Sequence, residues 1–92
     1  MLDIYNIIGV MKLRIDKFLK VSRLIKRRTV AAEACSAGKV IVGGKEAKPG
    51  LDVKLGDIIE INMGAKTIKA EVISLNESVK KEDAALMYKI VN

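Results

Sequence analysis

From Ile15 the apolar residues fall at Ile15, Phe18, Leu19 and Ile25, with the small Ser22 between them. This is helical spacing, and Lys17, Lys20 and Arg23 lie off the stripe. Asp16 suits the positive end of such a helix. A second helix is expected from about Arg28 to Ala37. Its apolar face would be Val30, Ala31, Ala34 and Cys35, with Thr29 and Glu33 in its first turns and Gly38 as its stop. Small residues along it permit a close approach to the first helix. The two read as a helix-turn-helix-like pair with a basic connector, Lys26-Arg27-Arg28.

The pattern then changes period. Lys39-Val40-Ile41-Val42 alternates into Gly43-Gly44 and continues as Lys45-Glu46-Ala47, which predicts a hairpin. Lys48-Pro49-Gly50 has the residue order of a turn with Pro second and Gly third. Leu55-Gly56-Asp57 predicts another turn, leading into a strand at Ile58–Ile61. Met63-Gly64-Ala65-Lys66 would turn the chain into a strand over Thr67–Ile73, with Ile68, Ala70 and Val72 on one face. The tail from Lys80 to Val91 predicts a short helix with Ala84, Met87, Tyr88 and Val91 on one side. The fold class is therefore α+β: a basic two-helix motif packed on a small antiparallel sheet, with a short C-terminal helix. The chain divides into an N-terminal extension over 1–11, a domain over 12–76 and a tail over 77–92.

Charge changes the picture more than composition does. The chain of 92 residues has a net charge of +6, and its excess is confined to residues 12–28. That segment holds Lys12, Arg14, Lys17, Lys20, Arg23, Lys26, Arg27 and Arg28 against the single acid Asp16, a local charge of +7. Elsewhere nine basic residues face ten acidic ones. A solvated helix face would interleave acids at i,i+4 spacing; here they are almost absent, and like charges on neighbouring turns call for a polyanionic partner. An interfacial membrane helix would need bulky side chains on its apolar face. In this segment that face must close the domain core, so nucleic acid is favoured over a membrane.

Composition excludes other chemistries. Histidine is absent, which removes Cys/His zinc sites and any His general base. The lone Cys35 allows no internal disulfide and fits a reducing compartment, the cytoplasm. It falls on an apolar helix face and reads as inert core. Asp57 and Glu60 fall at turn and strand positions and form no paired site. No catalytic role, cofactor or metal is expected. No apolar run approaches the roughly 20 residues of a membrane span.

Several landmarks in order carry a resemblance. They are Arg14-Ile15-Asp16-Lys17-Phe18-Leu19, Ser22-Arg23, Ala37-Gly38-Lys39-Val40-Ile41-Val42, Gly44-Lys45 and Lys54-Leu55-Gly56-Asp57-Ile58-Ile59. Together they resemble the ribosomal-protein-S-four-type RNA-binding domain over about residues 12–73. Within that superfamily, RIDKFLKVSRLIKRRTVAAEAC and the tail KKEDAALMYKIV resemble the stand-alone bacterial RqcP (formerly YabO) family of ribosome-associated quality control. The resemblance implies a cytoplasmic, non-catalytic protein that binds stalled large ribosomal subunits carrying peptidyl-tRNA. It further implies contacts to rRNA and the peptidyl-site tRNA, and support for the alanine-tailing factor RqcH. Arg14, Lys20, Arg23, Arg27 and Arg28 would lead the RNA contacts, with Lys17 and Lys39 secondary; Lys26 joins them through the basic segment. Gly43 stands where the family often has Asn.

The residues themselves suggest how RNA would be held. Arg offers a planar fork that matches phosphate, and backbone amides opening the second helix add positive charge beside Arg23, Arg27 and Arg28. Such contacts position RNA and carry little sequence information. Only Tyr5, Phe18 and Tyr88 are aromatic. Phe18 belongs to the apolar stripe and Tyr88 to the tail packing, which leaves no stacking platform of the single-strand type. Structured RNA is the expected target, and the chain is expected to act as a monomer. Four other readings stay open: a heat-shock S-four-type protein recycling stalled large subunits, a general rRNA/tRNA-binding module, a DNA-binding helix-turn-helix, and a protein-interaction module.

Overall fold

The computed structural model describes residues 13–76 and 80–91. The expected extension over 1–11, and Lys12, lie outside these residues. The described chain begins with a two-residue strand, β1 (Leu13–Arg14), that runs directly into α1 (Ile15–Val21). Ile15, Phe18 and Leu19 of α1 are fully buried, at the i, i+3, i+4 positions the apolar pattern implied. Burying a side chain of this size contributes about 1.5–3 kcal/mol. Ser22 is buried just past the helix, where its hydroxyl donates to the Leu19 carbonyl at 3.3 Å.

Helix α2 (Arg28–Ser36) follows and packs on α1. Its buried strip is narrower than expected. Ala31 and Cys35 are buried and Ala34 is partly so, but Val30 is 45% exposed. One residue is about 100° of rotation on a helix. Once the small Ala31 and Cys35 face α1, Val30 must turn outward. Gly38 ends the helix with a left-handed φ of +74°.

The main sheet has the order β3-β2-β5-β6-β7, all antiparallel. Its strands are β2 (Val40–Val42), β3 (Lys45–Glu46), β5 (Ile58–Asn62), β6 (Thr67–Val72) and β7 (Tyr88–Ile90). Gly43 and Gly44 have φ of +60° and +85°. Left-handed backbone at both central positions makes the primed hairpin turn that matches strand twist. Val40 lies opposite Ile61, and Ile59 opposite Ala70; all four are buried. One cluster joins these strands to Phe18, Leu19, Ala31 and Cys35 of the helices.

A second, two-stranded sheet pairs β1 with β4 (Asp52–Val53), setting Leu13 opposite Val53 and Arg14 opposite Asp52. The periodicity did not indicate it, because two-residue strands carry no alternation. The Lys48–Leu51 turn closes with Leu51 N–H donating to the Lys48 carbonyl at 3.0 Å. Gly50 does not occupy the left-handed region there, so this is not the turn type that demands glycine third.

The tail forms a 3-10 helix over Lys81–Met87, with Ala84 and Met87 buried at the three-residue spacing of that helix. It stops at Met87, short of the expected end at Val91. Tyr88 turns extended, and β7 pairs with β6, Tyr88 lying opposite Val72 and Ile90 opposite Ala70. The reason is tertiary: β6 would otherwise present a row of unpaired backbone groups. Among the described residues no helix is long and apolar enough to cross a membrane.

Candidate nucleic-acid interface

The basic segment folds around its one acid. Asp16 is 3% exposed, although it stands on the first turn of a helix whose neighbours are cationic. Three groups account for its carboxylate. The Lys17 backbone N–H donates to Oδ1 at 2.7 Å. Arg14 Nη2 donates to Oδ2 at 3.1 Å. Arg28 Nε lies 3.6 Å from the same Oδ2. Arg14 and Arg28, fourteen positions apart in sequence, thus meet over one oxygen atom. Both remain about half exposed, with guanidinium nitrogens to spare.

Each partner arrives by a different element. Pairing of β1 with β4 fixes the backbone of Arg14. The neighbouring turn supports it, with Ile15 N–H donating to Leu51 O at 2.7 Å and Asp16 N–H to Pro49 O at 3.4 Å. The Arg14 guanidinium lies over Gly50, 3.9 Å from where a Cβ would stand. Arg28 is delivered by the packing of α2 on α1. This helix starts at Arg27 in extended backbone with no side-chain cap, and its first turn has no acidic residue. Its leading N–H groups are therefore available to an anion beside Arg27 and Arg28.

The connector between the helices carries Arg23, Lys26 and Arg27, all exposed. Arg23 has φ +63°, the only left-handed non-glycine among the described residues. Its N–H donates to Lys20 O at 3.1 Å, and Ile25 N–H donates to Leu19 O at 3.0 Å, folding the connector back over the end of α1. Glycine commonly takes this position after a helix. An arginine accepts it at a cost of order 1 kcal/mol.

The other expected contacts divide. Lys20 is exposed in the last turn of α1, and Lys17 is half-buried in its first. Lys39 does not join them. It follows the far end of α2, about 13 Å of helix away from Arg28, and borders a shallow depression with Val30, Glu33, Ala34 and Ala37. Phe18 is fully buried and Tyr88 is half-buried against the core, so neither ring is open to a base. Cys35 is buried, and its thiol is pushed above its ordinary pKa, first by burial and then by the negative charge of Asp16. Both effects disfavour the thiolate, the nucleophilic form. Asp57 accepts the Lys54 N–H at 2.8 Å, closing the turn before β5, and Glu60 on β5 pairs with Lys69 on β6 at 3.6 Å.

Sequence reading missed two parts of this site. One is Asp16 as the group on which two arginines converge; the signal was its isolation within a +7 segment. The other is the placement of the expected Lys48-Pro49-Gly50 turn beneath Arg14, for which the sequence held no signal.

Comparisons with known proteins agree with the geometry. The S4 domain model matches residues 13–59. The "RQC P-site tRNA stabilizing factor" of Listeria monocytogenes is 52% identical over 79 residues, covering 86% of each chain. That of Halalkalibacterium halodurans is 49% identical over 78 residues, covering 85% of this chain and 89% of its own. The trimeric structure of Vibrio cholerae heat shock protein 15 superposes with a TM-score of 0.80 at 26% identity, over 87% of this chain and 82% of that one. The heat-shock protein shares the architecture, but its identity is half that of the Listeria factor. The chain belongs to the S4 domain family and, within it, to the family of RQC P-site tRNA stabilizing factors.

Proposed function

We propose that this chain binds rRNA and the peptidyl-site tRNA on stalled large ribosomal subunits, and so supports C-terminal alanine tailing of nascent chains. It acts in the cytoplasm as a non-catalytic monomer, and RqcH is its working partner. The observation that carries this reading is the convergence of Arg14 and Arg28 over the buried Asp16, beside the uncapped start of α2. The names of the relatives supply the ribosomal setting.

The physical action is electrostatic bracing. Arg14, Arg28 and Arg27 contact phosphates with fixed, forked donors, while Lys20, Arg23 and Lys26 extend the positive surface along the connector. Lys17 and Lys39 are peripheral. With no exposed aromatic platform among the described residues, RNA is read by shape and phosphate spacing. Holding a tRNA and an rRNA element at once ties the tRNA to the subunit.

The test is recovery of ribosomal particles on the tagged full chain from cells with stalled translation. Enrichment of large subunits carrying peptidyl-tRNA, sensitive to ribonuclease, is the expected result. Recovery of the chain without subunits would exclude the reading. The structural likeness to heat shock protein 15 favours one second reading, recycling of stalled subunits. In that case deleting the gene would leave alanine tails intact.

A further inference from the structure

We propose that Asp16, an acidic residue at the centre of a cationic surface, is a positioning residue for RNA binding: it holds Arg14 and Arg28 side by side in the orientation that meets phosphate. The inference rests on the RNA-binding reading and deepens it, because it assigns a role to the one residue there whose charge opposes the ligand.

Net electrostatics alone would select against Asp16. A carboxylate beneath an RNA-binding face repels phosphate, and its burial is costly unless it is well paired. The structure nevertheless buries it and surrounds it with donors. The Lys17 N–H fixes Oδ1, which sets the plane of the carboxylate and presents Oδ2 to the two guanidinium groups. Arg14 spends one terminal nitrogen on Oδ2, leaving Nη1 and Nε. Arg28 faces it through Nε at 3.6 Å, and its two terminal nitrogens are further donors. Two like-charged groups would otherwise repel and swing apart on long side chains. A shared counter-charge removes that repulsion and fixes the rotamers before RNA arrives. The entropy of ordering two arginines is then met during folding rather than at binding.

The backbone agrees with this assignment. β1 and the Pro49–Leu51 turn hold Arg14 from one side, and the start of α2 holds Arg28 from the other. Asp16 is the group these two otherwise separate supports share.

The test turns on a sign. Asp16→Asn keeps the shape and the acceptor for the Lys17 N–H, and makes the chain one unit more positive. Bulk electrostatics predicts tighter binding to purified large ribosomal subunits. Positioning predicts weaker binding, by about tenfold if ordering of both arginines is lost. In an Arg14→Ala/Arg28→Ala background the same substitution should change affinity less than twofold. Circular dichroism and thermal unfolding establish that each variant is folded. Should Asp16→Asn not fold, Arg28→Lys replaces it: charge is kept, but a single ammonium cannot face Asp16 and bracket phosphate together. A loss of several-fold is then expected. Equal or tighter binding by Asp16→Asn, an undiminished loss in the double-alanine background, or wild-type affinity for Arg28→Lys would each overturn the proposal. Failure of the wild-type chain to bind subunits would instead overturn the ribosomal function itself.

Discussion

The helical pair and the sheet both carry many charges, and they arrange them in opposite ways. On the solvent face of the sheet the signs alternate across strands. Glu60 lies opposite Lys69 and pairs with it at 3.6 Å, and Glu71 lies opposite Lys89. The sheet's side chains neutralise one another at its own surface. On the segment from Arg14 to Arg28 the exposed charges share one sign, and its single acid, Asp16, is buried among them; the pair's other acid, the exposed Glu33, lies more than a turn further along α2. The sheet is electrostatically complete and the helical pair is not. Self-neutralised charge fits a scaffold, whereas uncompensated charge fits a surface completed by another molecule.

This contrast can be broken in three places. The largest effect should come from salt. If five or six phosphates are neutralised by the helical pair, affinity for large subunits falls by about 10³ between 50 and 200 mM salt, while thermal stability changes little. A flat titration would show that the cationic surface is not the binding surface. Next comes the core of the sheet. Ile59, fully buried between Val42 and Ala70, should cost about 2–4 kcal/mol when replaced by alanine, read by denaturant unfolding. RNA affinity measured below the transition should be unchanged. Third is Arg28→Ala, which should lower affinity by about ten- to thirtyfold. It should cost no more than about 1 kcal/mol of stability, because Asp16 keeps Arg14 and the Lys17 N–H as partners. If Arg28→Ala unfolded the chain and Ile59→Ala abolished binding, the division between scaffold and surface would be wrong.

Where the sequence could be read, the reason is local. The i, i+3, i+4 burial of Ile15, Phe18 and Leu19 follows from helix geometry, and Gly43-Gly44 is the chemistry of a primed turn. The alternation at Ile68, Ala70 and Val72 puts one face of β6 inward. Where the reading differs from the structure, a distant partner decided. Val30 faces out because Ala31 and Cys35 fit more closely against α1. The tail leaves helical backbone at Tyr88 because β6 offered an open edge. Among the candidate site residues, Lys39 stands beyond the far end of α2 from Arg28, a separation set by the helix between them rather than by residue type.

By itself, then, the sequence determined the charge segregation, the absence of histidine chemistry, the secondary-structure texture and the family resemblance, all of which depend on residue type and short-range spacing. Tertiary structure alone decided which cations act together. Bringing Arg14 and Arg28 onto one oxygen of Asp16 required a two-residue strand pairing, a proline turn and the packing of two helices. Electrostatic energy depends on distance and on exclusion of water, and neither is written in the order of residues along the chain.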